Sequence, residues 1–233
     1  MFRFPIAKSR PASLKTKSRR SDKRLSVESL ETRQMMSATP LSFQVVNDAT
    51  ANVAYKYTED GAASGSSVLT AANASPRGVA STVGVEKTWV IDAKRNVYTY
   101  DGSGVLLGSW SAGSMPSNAA PEGIATNGKD VWIADGRSDK VYRYADAANR
   151  LSGSQSAASS FSLATGAGNT NPKDIVSDGA SLWVVDDGSK TDRVFKYSMT
   201  GGYVGSWLID SGNKTPTGIA LDPAKDRRFV DRR

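Results

Sequence analysis

Pro121 to Tyr144, PEGIATNGKDVWIADGRSDKVYRY, decides the fold. In order it holds Pro-x-Gly-Ile-Ala, an Asn-Gly turn, the apolar run Val131-Trp132-Ile133-Ala134 closed by Asp135, a polar turn, and Val141-Tyr142-Arg143-Tyr144. Trp, Val, Ile and Tyr gather in short runs bounded by Gly, Pro, Asn and Asp, which favours strands over helix. The same cassette returns along the chain. Its first element recurs as Pro76-Arg77-Gly78-Val79, Pro172-Lys173-Asp174-Ile175 and Pro216-Thr217-Gly218-Ile219, at intervals of 45, 51 and 44 residues.

Its second element recurs as Trp89-Val90-Ile91-Asp92 and Trp183-Val184-Val185-Asp186. Its third recurs as Val97-Tyr98-Thr99-Tyr100 and Val194-Phe195-Lys196-Tyr197, with an earlier echo in Val53 to Tyr57. Each unit closes in a looser apolar run, such as Val105 to Leu107 with Trp110, or Tyr203-Val204 with Trp207. Four short strands in a unit of 44 to 51 residues predict one β-propeller blade per repeat. The second strands are apolar throughout because stacked blades cover a middle strand on both faces. Asn127-Gly128 and Asp178-Gly179 suit two-residue hairpins, which need positive φ.

The expected fold is therefore all-β: three to four blades of an incomplete propeller over residues 40–233, with repeat starts near 76, 121, 172 and 216. Toward the N-terminal side, Leu41 to Val46 reads as a strand, Val53 to Tyr57 as another, residues 60–67 as a Gly- and Ser-rich turn, and Val68 to Thr70 as a further strand. The strands at 53–57 and 68–70 read as the outer half of a blade that takes its inner strands from the far end of the chain.

Charge separates the two parts. Residues 1–39 carry ten Lys and Arg against three acidic residues, a balance of +7, whereas residues 40–233 carry 20 of each sign. The leader is rich in Lys, Arg, Ser and Pro, so it is expected to be disordered, and it lacks the aromatic residues that would stack on bases. No nucleic-acid partner is expected. No run of 18 apolar residues indicates a membrane-spanning helix. Cysteine and histidine are both absent, which excludes thiolate chemistry and removes the commonest general base and metal ligand.

Within the leader, Leu30-Glu31-Thr32-Arg33-Gln34-Met35-Met36 resembles the LEPR-XLL motif found near the start of large exported bacterial surface proteins. Leu30, Glu31 and Arg33 match; Thr32 replaces Pro, and Met35 and Met36 replace the two leucines. That resemblance implies export and an extracellular or cell-surface location. The cassette resembles the NHL-repeat and lactonase- or lyase-type propellers over residues 53–222. Ala134-Asp135 leads after a polar turn to Lys140-Val141, with Ser138 where NHL repeats carry Asn. The turn is longer from Asp186 to Arg193 and shorter from Asp92 to Asn96.

Asp92, Asp135 and Asp186 each end a second strand, with Asp187 following the last. Their first reading is as Asx turns that accept N–H groups of the following turn. Their second is as weak candidates for Ca²⁺ ligation, although Ca²⁺ favours six to eight oxygens and no single loop gathers that many. Lactonase-type propellers hold a divalent metal with Glu, Asn and Asp, which this resemblance leaves open; a streptogramin-lyase type would need a histidine. Trp89, Trp132 and Trp183 are expected to form a packed layer between blades. The expected function is a non-catalytic scaffold or binding module for a surface protein or glycan. The alternative is the remnant of a propeller hydrolase or lyase, with Ca²⁺ as its conceivable cofactor.

After Pro216 to Asp222 the chain departs from the cassette at Asp226-Arg227-Arg228-Phe229-Val230-Asp231. If its arginines use CGN codons, moving the frame one base forward at Arg227 can spell Leu-Trp-Ile, the missing strand. A frameshift truncation of a longer propeller is the expectation, and it requires a GTG codon at Val230. A closed four-bladed ring is the rival.

Overall fold

In the computed structural model the described residues are 42–47, 52–58, 61–82, 86–189 and 191–221, with side chains described outside 42–47. The leader with its Leu30 to Met36 motif, and residues 222–233, lie outside them. All belong to one unit of the chain, Thr39–Arg233.

Among the described residues sixteen strands form four sheets, antiparallel except where β11 joins the second. The first holds β1 (Ser42–Asn47), β2 (Val53–Thr58) and β3 (Ala63–Val68). The second runs β4 (Pro76–Ser81), β5 (Lys87–Asp92), β6 (Asn96–Asp101) and β7 (Leu106–Ala112). The third joins β8 (Pro121–Thr126), β9 (Val131–Asp135) and β10 (Lys140–Tyr144) to β12 (Ser159–Ser162). Between β10 and β12 the chain makes a short 3₁₀ turn and lays β11 (Ser154–Gln155) parallel to β7 of the preceding sheet. That excursion accounts for the longest repeat interval. The fourth sheet runs β13 (Pro172–Ser177), β14 (Ser181–Asp186), β15 (Arg193–Ser198) and β16 (Tyr203–Leu208). Each sheet is one propeller-type blade, and the first lacks an innermost strand among the described residues.

Blades stack face to face on three cores. Ala54 and Leu69 of blade 1 meet Val90, Tyr98 and Tyr100 of blade 2. Trp89, Ile91, Val97 and Trp110 of blade 2 meet Ile124, Val131, Ile133, Tyr142 and Tyr144 of blade 3. Ala125, Trp132, Ala134 and Val141 of blade 3 meet Ile175, Leu182, Val184, Phe195 and Tyr197 of blade 4. Alternate residues of one middle strand thus serve opposite neighbours, which is why all five residues of β9 are buried.

The innermost strands β4, β8 and β13 lie side by side. Their approach explains the glycine of Pro-x-Gly. A Cβ on Gly78 would lie 2.8 Å from the Gly123 Cα, and one on Gly123 would lie 2.7 Å from the Ile175 N. Chains converging on an axis leave no room for a side chain on the flank.

Four expectations need correction. The strand inside β2 is β1, which comes from the N-terminal side of the same blade and not from the far end of the chain. The segment read as a Gly- and Ser-rich turn at 60–67 contains strand β3, and Leu69 and Thr70 follow it outside the strand. Its small polar residues need no apolar partner because the outermost strand faces solvent on its free side. The hairpin at Asn127-Gly128 has four residues between β8 and β9, and that at Asp178-Gly179 has three between β13 and β14, rather than two each. Only the glycines take positive φ, 86° and 84°. Asn127 and Asp178 instead accept two backbone N–H groups each: those of Lys129 and Asp130, and of Ala180 and Ser181. Lastly, Trp89 and Trp132 are buried as expected, but Trp183 is half-buried, with the Lys196 Nζ 5.3 Å from its ring centroid. Its side of blade 4 has no neighbouring blade among the described residues.

Candidate functional site

The inner-strand starts and the cassette aspartates share one end of the blades, because Pro76, Pro121 and Pro172 pair in register with Asp92, Asp135 and Asp186. Here the structure gathers the site residues read from the sequence. The Asp92 Oδ1 accepts the N–H groups of Lys94 (2.9 Å) and Asn96 (2.7 Å). The Asp135 Oδ1 accepts those of Ala120 (2.7 Å) and Arg137 (3.0 Å), while its Oδ2 accepts the Ser138 hydroxyl at 2.6 Å. Ala120 precedes Pro121, so Asp135 fastens the innermost strand to the following hairpin.

Asp186 makes the first half of that connection through its Oδ2, which accepts the Asn171 N–H at 2.7 Å. Its Oδ1 is buried and has no partner. Burial pushes its carboxyl up, against the Asn171 and Thr170 N–H groups, and the charges of Asp139 and Asp187 push the same way. Asp139, at φ 50°, also has a buried Oδ1 without a partner, and burial and the Asp135 charge raise its pKa. Asp187 is held through its backbone: its N–H reaches the Asn171 carbonyl, and its own carbonyl accepts the Asn171 side-chain amide. Among the described residues, no three Asp or Glu side chains are grouped so as to hold a metal ion.

On the axial side, the residue after each proline supplies a charge: Arg77, Glu122 and Lys173 on neighbouring strands. Burial raises the Glu122 pKa, Lys173 and Arg77 draw it down, and Asp135 adds to the rise. The rim therefore alternates in sign across three blades. Beside it, Asp174 occupies the glycine slot of the third cassette. Its Oδ1 accepts the Ile175 N–H at 2.8 Å and its Oδ2 the Ile219 N–H at 3.1 Å. Desolvation pushes its carboxyl up to about 7 despite both donors.

A second ring of polar residues was missed in the sequence. The Tyr100 hydroxyl accepts from the Asn73 amide (3.4 Å), and the Tyr197 hydroxyl accepts from the Asn169 amide (2.7 Å) and the Ala164 N–H (2.9 Å). Both asparagines are fully buried. The signal was legible: Asn73, Asn118, Asn169 and Asn213 each stand three residues before a cassette proline. Asn118 does not repeat the contact; it is exposed, and Tyr144 donates to the Gly113 carbonyl at 2.7 Å instead.

No protein-family model matches the chain, and no curated protein matches it. Solved structures do. A chain of a nidogen/laminin complex shares 14% identity at TM-score 0.50, over 71% of this chain and 59% of that one. Hydrazine synthase of Kuenenia stuttgartiensis shares 14% at 0.48 over 72% and 46%, and Sqt1 of Saccharomyces cerevisiae 9% at 0.45 over 72% and 45%. The chain thus spans about half the length of these structures. The likeness is to β-propeller-type proteins and shows the fold. Among the described residues no helix is long and apolar enough to cross a membrane.

Proposed function

We propose that this chain is a non-catalytic β-propeller scaffold or binding module of an exported bacterial surface protein, taking a protein or glycan ligand on the axial rim of its blades. The observation that carries this reading is the saturation of Asp135. Two backbone N–H groups and a hydroxyl already occupy its carboxylate, so it serves the blade rather than a reacting atom. The exposed Arg77 and the partly exposed Lys173, flanking Glu122, offer charged contacts to a carboxylate-bearing peptide or sugar. Export rests on the resemblance of Leu30, Glu31, Arg33, Met35 and Met36 to the LEPR-XLL motif, and descent on the NHL-like cassette. Cell fractionation tests the location: recovery in the surface or extracellular fraction is expected, and retention in the cytoplasm overturns it. Arrays of acidic glycans and acidic peptides test the ligand. Binding should fall at least tenfold in the Arg77→Glu, Lys173→Glu double variant, and equal binding by that variant refutes the rim.

One observation favours the lactonase-like alternative with Ca²⁺. The buried Oδ1 atoms of Asp186 and Asp139 are both unpartnered, and the charge of Asp139 helps to push the Asp186 carboxyl up. Thermal melting with added Ca²⁺ separates the readings. A rise of several degrees that Asp186→Asn abolishes supports the metal-dependent reading, and an unchanged melting temperature supports the scaffold.

A further inference from the structure

An aromatic pair repeats at two of the blade junctions. At the junction of blades 2 and 3, Trp110 of an outermost strand meets Tyr144 edge to face, ring centroids 5.1 Å apart. At the junction of blades 3 and 4 the repeat-equivalent residues, Phe161 and Tyr197, pair at 5.4 Å. Register fixes the equivalence: Trp110 lies opposite Val97, Phe161 opposite Val141, and Trp207 opposite Val194. Trp207 is thus the forward member of a third such pair, and it is 49% exposed.

The backward member sits at the other end. Tyr55-Lys56-Tyr57 on β2 matches Tyr142-Arg143-Tyr144 and Phe195-Lys196-Tyr197, which makes Tyr57 the counterpart of Tyr144 and Tyr197. Ala54 faces blade 2, so by strand alternation Tyr55 and Tyr57 point away from it, and both are partly exposed. Because Trp207 is exposed and Tyr57 is partly exposed, the two ends do not meet among the described residues.

The backbone shows the same match. Among the described residues blade 1 has no strand inside β1, whereas β5, β9 and β14 each pair with an inner Pro-x-x-hydrophobic strand. Beyond blade 4 the chain supplies one, Pro216-Thr217-Gly218-Ile219, anchored beside β13 by the Ile219 N–H on Asp174. It stands where the innermost strand of the next blade belongs, and it enters none of the sheets.

We propose that a second copy of this chain covers the open face of blade 4. Its blade 1 docks with Tyr57 against Trp207 and with β1 along residues 216–219. Reciprocal docking closes a head-to-tail dimer of two times four blades, within the four to eight that propellers use. A heterologous contact repeated by a two-fold closes on itself, and it removes the exposed strand edge.

Sedimentation of the full chain tests this. A species of twice the 24.7 kDa monomer is expected. A monomer throughout the micromolar range overturns the proposal, as does growth into larger arrays. Trp207→Glu should abolish the dimer while leaving the circular dichroism spectrum unchanged, and a dimer that persists in this variant overturns it. Because the chain has no cysteine, single substitutions give an unambiguous cross-linking test. Tyr57→Cys mixed with Trp207→Cys should form a disulfide-linked pair under mild oxidation. Cross-linking of Trp207→Cys to itself instead, or of neither variant, refutes head-to-tail packing.

Discussion

Trp110 and Trp207 occupy one position in the repeat and have opposite surroundings. Trp110 is 2% exposed in the seam between blades 2 and 3, whereas Trp207, on blade 4, is 49% exposed. Trp132 and Trp183 differ in the same sense along the second strands. The cassette writes the same residues into every blade, and burial comes only from the neighbour. Blade stability is therefore a property of the junction, as in other repeat proteins that sum nearest-neighbour terms.

The strongest way to break the comparison is Trp132→Ala against Trp207→Ala. Loss of the buried indole of Trp132 should cost about 3–5 kcal/mol in denaturant unfolding. Loss of Trp207 should cost under about 0.5 kcal/mol in a dilute monomer. Equal costs would mean that the face of blade 4 is covered in the isolated chain.

Asp174 gives the next largest effect, and it reads the inner strands rather than the blade faces. Its carboxyl titrates near 7 in the folded chain against an ordinary 3.8, so the unfolded chain ionises first as pH rises. Stability should be full below pH 3.8, fall as pH climbs through 7, and level off above, by at most about 4 kcal/mol. Asp186, Asp139 and Glu122, which burial also pushes up, add slope of the same sign. Asp174→Gly restores the cassette residue, and melting curves from pH 4 to 8 should then show a markedly shallower fall. An unchanged slope would remove Asp174 as its main source.

These contrasts also mark how far the sequence could be read. Pro76, Pro121 and Pro172 each open an innermost strand, and the apolar runs that end in Asp92, Asp135 and Asp186 are middle strands, because stacking demands hydrophobic residues there. Outermost strands β3 and β12 left little trace: Ser64 to Ser67 of β3 carries no apolar period, and Phe161 alone marks β12. Trp183 departs from the expected burial because a residue's burial depends on a blade that its own repeat does not contain. For the site, the position of the aspartates was legible and their backbone partners were not. Asp135 reaches back to Ala120, fifteen residues upstream, and local spacing does not show such a bond.

A third test moves from faces to the axis, with Gly123→Ala against Gly205→Ala. A methyl at 123 meets the Asp174 Oδ1 at 2.3 Å and the Ile175 N at 2.7 Å, and the backbone atom cannot swing aside. Such overpacking should cost about 1–3 kcal/mol.

At Gly205, on the exposed strand β16, a methyl meets nothing within 4 Å, and its φ lies outside the positive region. Alanine there restricts the unfolded chain without strain and should stabilise by about 0.5–1 kcal/mol. Unfolding of the two variants beside the parent chain therefore predicts shifts of opposite sign. Should Gly205→Ala instead destabilise, the outer edge of blade 4 would be packed against something, and its freedom in the single chain would be disproved. The smallest of these effects thus probes the same open face as the tryptophan pair, through a backbone position that no aromatic contact touches.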